Sequence, residues 1–190
     1  MWNSAVNGTP ATMLKPRNIG LAVLALAGLS VMNPAQAQST GSASATATIK
    51  VIQPISVTKN LDMAFGTIVR PSTGAGTVVI SSAGARSVTG TNTAALASTS
   101  ASQAQFTITG EGAQSISVTV PATFAMTSGA NSLTVTTSND MSGSAATQTL
   151  SGSLGSQGSL TVNVGGSVPL TATSTTASYS GTLTVSVAYN

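Results

Sequence analysis
The 190-residue chain contains no cysteine and no histidine, and only three acidic and six basic residues. Each shortage excludes a class of function. Without His or Cys the usual general base, the thiol nucleophile and most transition-metal ligands are missing. Without Cys no disulfide can form, so packing and strand pairing alone must hold the fold. The three carboxylates, Asp62, Glu111 and Asp140, are far apart and lie beside turn residues, where acids are ordinarily solvated. They do not read as a paired-carboxylate catalytic site, and no cluster of closely spaced oxygen ligands suggests a calcium loop. The reading is of a non-enzymatic protein with no cofactor and no metal.

Charge and aromatic content narrow the field further. Residues 38–190 carry Lys50, Lys59, Arg70 and Arg86 against Asp62, Glu111 and Asp140, a net charge of +1. No basic patch exists for a nucleic acid to bind. The single tryptophan, Trp2, lies in the N-terminal region, so the remainder has no Trp on which a sugar could stack. Phe65, Phe106 and Phe124 read as core residues.

What is present begins with a leader. Lys15 and Arg17 precede the thirteen-residue apolar run Ile19–Val31, and small residues follow at Ala35 and Ala37. This pattern predicts a signal peptide over 1–37, cleaved after Ala37, with translation starting at Met1 or Met13. The run is too short for a helix that spans a bilayer, which needs roughly 20 residues. The mature chain is therefore expected to be exported, with no transmembrane segment.

Beyond the leader, Ser, Thr, Ala, Gly and Val dominate, and apolar residues recur with period two rather than at helical spacing. Ala43, Ala45, Ala47, Ile49 and Val51 alternate with polar residues, predicting an N-terminal strand or extension over 38–51 that Pro54 interrupts. Further strands are expected at Thr77–Ile80 and Arg86–Thr89, with a polar connection over 91–102. Ala104–Gly110 and Ser115–Val120 read as a hairpin turned at Glu111-Gly112-Ala113. Phe124, Met126, Leu133 and Val135 continue the alternation across a turn at Ser128-Gly129. Leu160, Val162 and Val164 form a strand that Gly165-Gly166 is expected to end, with a short strand at Val168–Leu170. In the last strand Leu183, Val185, Val187 and Tyr189 share one face. About six to nine short strands with turns between them predict an all-β fold, an immunoglobulin-like β-sandwich over 52–190.

Local motifs add little. Ser56-Val57-Thr58-Lys59 has the Ser-x-x-Lys spacing of serine acyl-enzymes but lacks their companion elements. Arg70-Pro71-Ser72-Thr73-Gly74 reads as a turn.

The strand pattern as a whole resembles the bacterial domain-of-unknown-function 4402 (DUF4402) family, and through it the subunits of chaperone–usher pili and spore coat U type domains. The residues that carry the resemblance are Ile52-Gln-Pro54-Ile55, Leu61-Asp62 with Phe65-Gly66-Thr67-Ile68-Val69, Phe106-Thr-Ile108-Thr-Gly110, Val164-Gly165-Gly166 and Tyr179-Ser-Gly181-Thr182 through Tyr189-Asn190. The resemblance implies a sandwich that lacks its last strand and is completed by a strand from a neighbour. It makes Ala43, Ala45, Ala47, Ile49 and Val51 the candidate donor strand. Leu183, Val185, Val187 and Tyr189 become the strand that borders the acceptor groove, serving first a periplasmic chaperone and then the next subunit. The implied partners are copies of the chain or related subunits, a chaperone and an outer-membrane usher. The implied location is the periplasm and then the cell surface. The alternatives from the residues alone are a self-contained exported β domain and an amyloid-like fibre of Ser/Thr/Val segments.

Overall fold
In the computed structural model the described residues are 40–96, 99–141 and 145–190; the expected leader over 1–37 lies outside them. They fall into two units, one ending at Ala47 and one running from Thr48 to Asn190. In the first, residues 40–47 form neither strand nor helix. The second carries twelve strands among its described residues: β1 (Ser56–Leu61), β2 (Ile68–Val69), β3 (Ala75–Ile80), β4 (Arg86–Thr89), β5 (Ala94–Ala95), β6 (Ala104–Glu111), β7 (Ser115–Thr119), β8 (Thr123–Ser128), β9 (Asn131–Asn139), β10 (Ala145–Thr149), β11 (Gln157–Thr171) and β12 (Ser186–Tyr189). The fold is all-β, and among the described residues no helix is long and apolar enough to cross a membrane.

The long strand β11 organises the larger, seven-stranded sheet. Its first half pairs with β6, and its second half with β3. Val164 pairs with both Ala104 and Asn139, and Gly166 with both Ile80 and Thr137. β9 therefore lies on the edge of β11 opposite β6 and β3. Outward from this spine, β1 pairs with β6, β4 with β3, and β8 with β9. The second sheet has the order β10-β7-β12, and β2 pairs with β5 in a small third sheet.

Period-two alternation does what the sequence leads one to expect. On β6, Ala104, Phe106 and Ile108 are buried while Gln105, Thr107 and Thr109 are partly exposed. On β7, Ile116 and Val118 are fully buried. These residues form one core with Val120, Leu150, Val162 and Val164, filling the space between the two sheets. Each such side chain taken from water contributes roughly 1.5–3 kcal/mol, which is what a fold without disulfides relies on.

Of the strand or extension expected over 38–51, the stretch from Ala43 to Val51 forms no strand, and pairing starts at Ser56. Three local expectations are corrected. The segments Ala104–Gly110 and Ser115–Val120 are not a hairpin, because β6 pairs with β1 and β11 while β7 pairs with β10 and β12. Ala113 has a φ of 56°, and the amides of Gly112 and Ala113 donate to Ser156 and Leu150 rather than across a two-strand ladder. The corner thereby carries the chain from one sheet to the other, and the apolar faces of both strands meet across the core instead of lying side by side. Gly165-Gly166 does not turn the chain either; β11 runs through it. A β-carbon on Gly165 would collide with the main chain at Ile80–Ser82, and one on Gly166 with Val135. Close approach of neighbouring strands, not a turn, requires glycine there. The last strand is shorter than the alternation suggests, since pairing with β7 covers only Ser186–Tyr189.

Candidate functional site
β12 is an edge strand. Among the described residues it pairs only with β7, with Ser186 opposite Thr119 and Tyr189 opposite Ile116. The amide of Asn190 donates to the carbonyl of Ser115 at 3.1 Å. Because ladder bonds alternate along an antiparallel pair, the main-chain groups of Val187 and Tyr189 point away from β7, towards the open edge. Leu183, Val185, Val187 and Tyr189 all pack against the core cluster but remain half-buried, while Thr184, Ser186 and Ala188 are exposed. The row of four faces the core without being fully covered.

A groove lined by both apolar and polar residues, Lys59 and Asp62 among the latter, opens near the start of this row. A cleft of about 470 Å³ is lined by Leu61, Phe106, Phe124 and Leu183, among others. It shares Met63, Phe65, Met126 and Tyr179 with a second cleft of about 560 Å³ that reaches Val78, Leu133 and Val168. Phe106, Val78 and Val168 are core residues that solvent barely reaches, so the floor of the groove is the core itself. Phe65 and Phe124, expected as core, are half-buried groove walls. The chain is fixed beside β8 at this point by a pair of main-chain bonds between Thr127 and Ser180, 2.8 and 3.1 Å long. Gly181 lies so close to the Ala125 carbonyl that a β-carbon would not fit.

The far end of β12 is closed by a hydrogen-bonded clasp. The Tyr189 hydroxyl accepts from the amide of Glu111 at 2.7 Å and donates to the carbonyl of Gln53 at 2.9 Å. The Glu111 side chain is buried, 3% exposed. Its carboxylate accepts from the amide of Gln53 at 3.2 Å and from the amide of Gly155. Gln53 is thus held through both its N–H and its C=O. Three residues earlier, Lys50 Nζ donates to Gln114 Oε1 at 2.8 Å. Gly110 makes room for the arrangement, because a β-carbon there would collide with the Tyr189 hydroxyl. Glu111, expected as a solvated turn residue, is instead the buried centre of this clasp. Nothing in the local sequence marks it, since its partners are up to 78 positions away.

The candidate donor residues lie on the other side of Gln53. Ala43, Ala45 and Ala47 are exposed, as are Ile49 and Val51 at 88% and 81%. Both are large aliphatic side chains on a stretch that pairs with no strand. The carboxylates are not brought together: Asp62 pairs with Lys59 at 2.6 Å on the surface, Asp140 accepts from Asn163, and Glu111 belongs to the clasp. Among the described residues no group of three or more His, Cys, Asp or Glu could hold a metal. Ser56 and Lys59 occupy opposite faces of β1, Ser56 bonding to Thr109 and Lys59 to Asp62, so the Ser-x-x-Lys spacing does not assemble a nucleophile and base.

No curated protein and no solved structure matches the chain. Residues 55–189, from just before β1 to the last residue of β12, match the family model described as a domain of unknown function, DUF4402. With that match spanning the sheets, the groove and the β12 edge, the chain belongs to the DUF4402 family.

Proposed function
We propose that the chain is a non-enzymatic structural subunit of an extracellular pilus or fimbria, polymerising head-to-tail by donating its N-terminal segment to the open edge of the next copy. The reading rests on one observation: the same molecule carries an unpaired segment with bare Ile49 and Val51 and an edge strand whose inward row, Leu183 to Tyr189, is incompletely covered. An added strand would satisfy the outward main-chain groups of β12, each such bond contributing about 1 kcal/mol. Burying Ile49 and Val51 would contribute roughly 1.5–3 kcal/mol each. Donor and acceptor are different surfaces, so the contact does not close on itself and generates a filament. In this reading the mature chain crosses the periplasm with a chaperone, is delivered by an usher, and ends at the cell surface. The immunoglobulin-like strand order belongs to the same proposal.

The test is expression of residues 38–190 in a periplasm with and without the products of neighbouring genes. Detergent-resistant ladders or fibres that appear only with the chaperone and usher support the reading, provided that deleting residues 38–48 abolishes them and leaves a soluble domain. A stable monomer in every case, with no ladder or fibre when chaperone and usher are supplied, would establish a self-contained exported β domain instead.

A further inference from the structure
The clasp at Gln53 bears on a problem that any self-associating chain of this kind faces. A donor segment covalently attached to its own acceptor is always nearby, and an intramolecular partner on a short flexible tether acts at an effective concentration in the millimolar range. Unless something prevents it, the segment would fill its own groove and no filament would grow.

Resting on the strand-donation reading above, we propose that the Glu111–Tyr189–Gln53 clasp, with the Lys50–Gln114 bond, makes strand insertion intermolecular by keeping each chain's own Ile49 and Val51 away from the roomy end of its groove. The clasp fixes Gln53 beside Tyr189, and Lys50 beside Gln114 at the start of β7. The roomy end of the groove is at Leu183. Six residue steps lead from Leu183 to Tyr189, roughly 20 Å at strand rise. Val51, two residues from Gln53, reaches at most about 7 Å, and Ile49 about 14 Å. A chain folding back on itself can therefore bring only Ala43, Ala45 and Ala47 to the 470 Å³ cleft, whose walls include Phe106, Phe124 and Met126. Methyl groups leave that cleft largely unfilled.

A second copy has no such tether. Running antiparallel to β12, it places Ile49 opposite Leu183, Ala47 opposite Val185, Ala45 opposite Val187 and Ala43 opposite Tyr189, because the spacing from 43 to 49 equals that from 183 to 189. The largest donor residues then meet the cleft. The alanines meet the closed end, where Tyr189, Gly110 and Ile55 leave less space. Size complementarity selects this direction over the parallel one.

The chain has no cysteine, so introduced pairs are unambiguous. Thr48, Thr184 and Ala188 are exposed and their replacement leaves the core intact. Under oxidising conditions the T48C/T184C variant, assembled with its chaperone and usher, is expected to give a disulfide ladder between chains, and T48C/A188C is not. Inserting six Gly/Ser residues after Ile52 extends the tether by about 20 Å; at micromolar subunit it should lower polymer yield at least about tenfold in favour of a self-capped monomer. A ladder through Ala188 rather than Thr184, or unchanged polymer yield from the linker variant, would overturn the clasp's role while leaving strand donation intact. Intramolecular disulfides in the chain without the linker would overturn it as well. Absence of any polymer from the unaltered chain in the presence of chaperone and usher would remove the strand-donation reading and this inference with it.

Discussion

Replacing Tyr189 with Phe removes one oxygen and nothing else. That oxygen accepts from the Glu111 amide at 2.7 Å and donates to the Gln53 carbonyl at 2.9 Å. The ring keeps its packing against the core, so no cavity opens. Two main-chain groups lose their partner in a half-buried site. An unsatisfied buried group costs about 1–3 kcal/mol, and partial access of water brings each towards the lower bound. The expected loss is therefore about 2 kcal/mol in the monomeric domain, measured by urea unfolding of residues 48–190, with the slope on denaturant unchanged because the exposed surface is unchanged. A second substitution, Glu111→Ala, removes the carboxylate that holds the Gln53 amide. Because both changes release the same residue, their effects should not add: the double variant should be more stable than the sum of the single losses implies, by about 0.5–1 kcal/mol. A loss below about 0.5 kcal/mol for Tyr189→Phe, or simple additivity in the double variant, would refute the view that Gln53 is clamped from both sides.

Other positions give contrasting expectations on the same unfolding assay. Gly165→Ala should cost at least about 2 kcal/mol, because the new methyl meets main-chain atoms of Ile80 and Ser81 that cannot step aside; a neutral result would mean the strands are not packed this closely. Ile108→Ala, at a fully buried site, should cost about 2–5 kcal/mol. Lys59→Ala breaks an ion pair whose side chains are 56% and 78% exposed, and should change stability by less than about 1 kcal/mol; a larger effect would show that the β1 edge is less open than it stands here.

Several elements were legible residue by residue. The alternations at Phe106–Ile108, Ile116–Val118 and Val162–Val164 mark buried strand faces, since a side chain's face is fixed by parity alone. The row from Leu183 to Tyr189 is legible for the same reason. Parity says nothing about which strand is the neighbour, and there the reading failed. Ala104–Glu111 and Ser115–Thr119 look like a hairpin because a short Gly-containing turn joins them, yet the loop at Leu150–Ser156 captures the turn's amides and sends the two strands into different sheets. Gly165-Gly166 looks like a turn because glycine is ambiguous between conformational freedom and missing bulk; only the approach of Ile80 from a neighbouring strand shows that bulk is the reason.

The sequence by itself determined the class of fold, because period-two patterning is a local property of the chain. The tertiary structure decided the sheet partners, the groove between Leu61 and Leu183, and the burial of Glu111 against Tyr189 and Gln53. The bonds that join Glu111, Tyr189 and Gln53 link residues 58 to 136 positions apart, and hydrogen bonds over such separations are set by how the sheets stack rather than by any pattern along the chain.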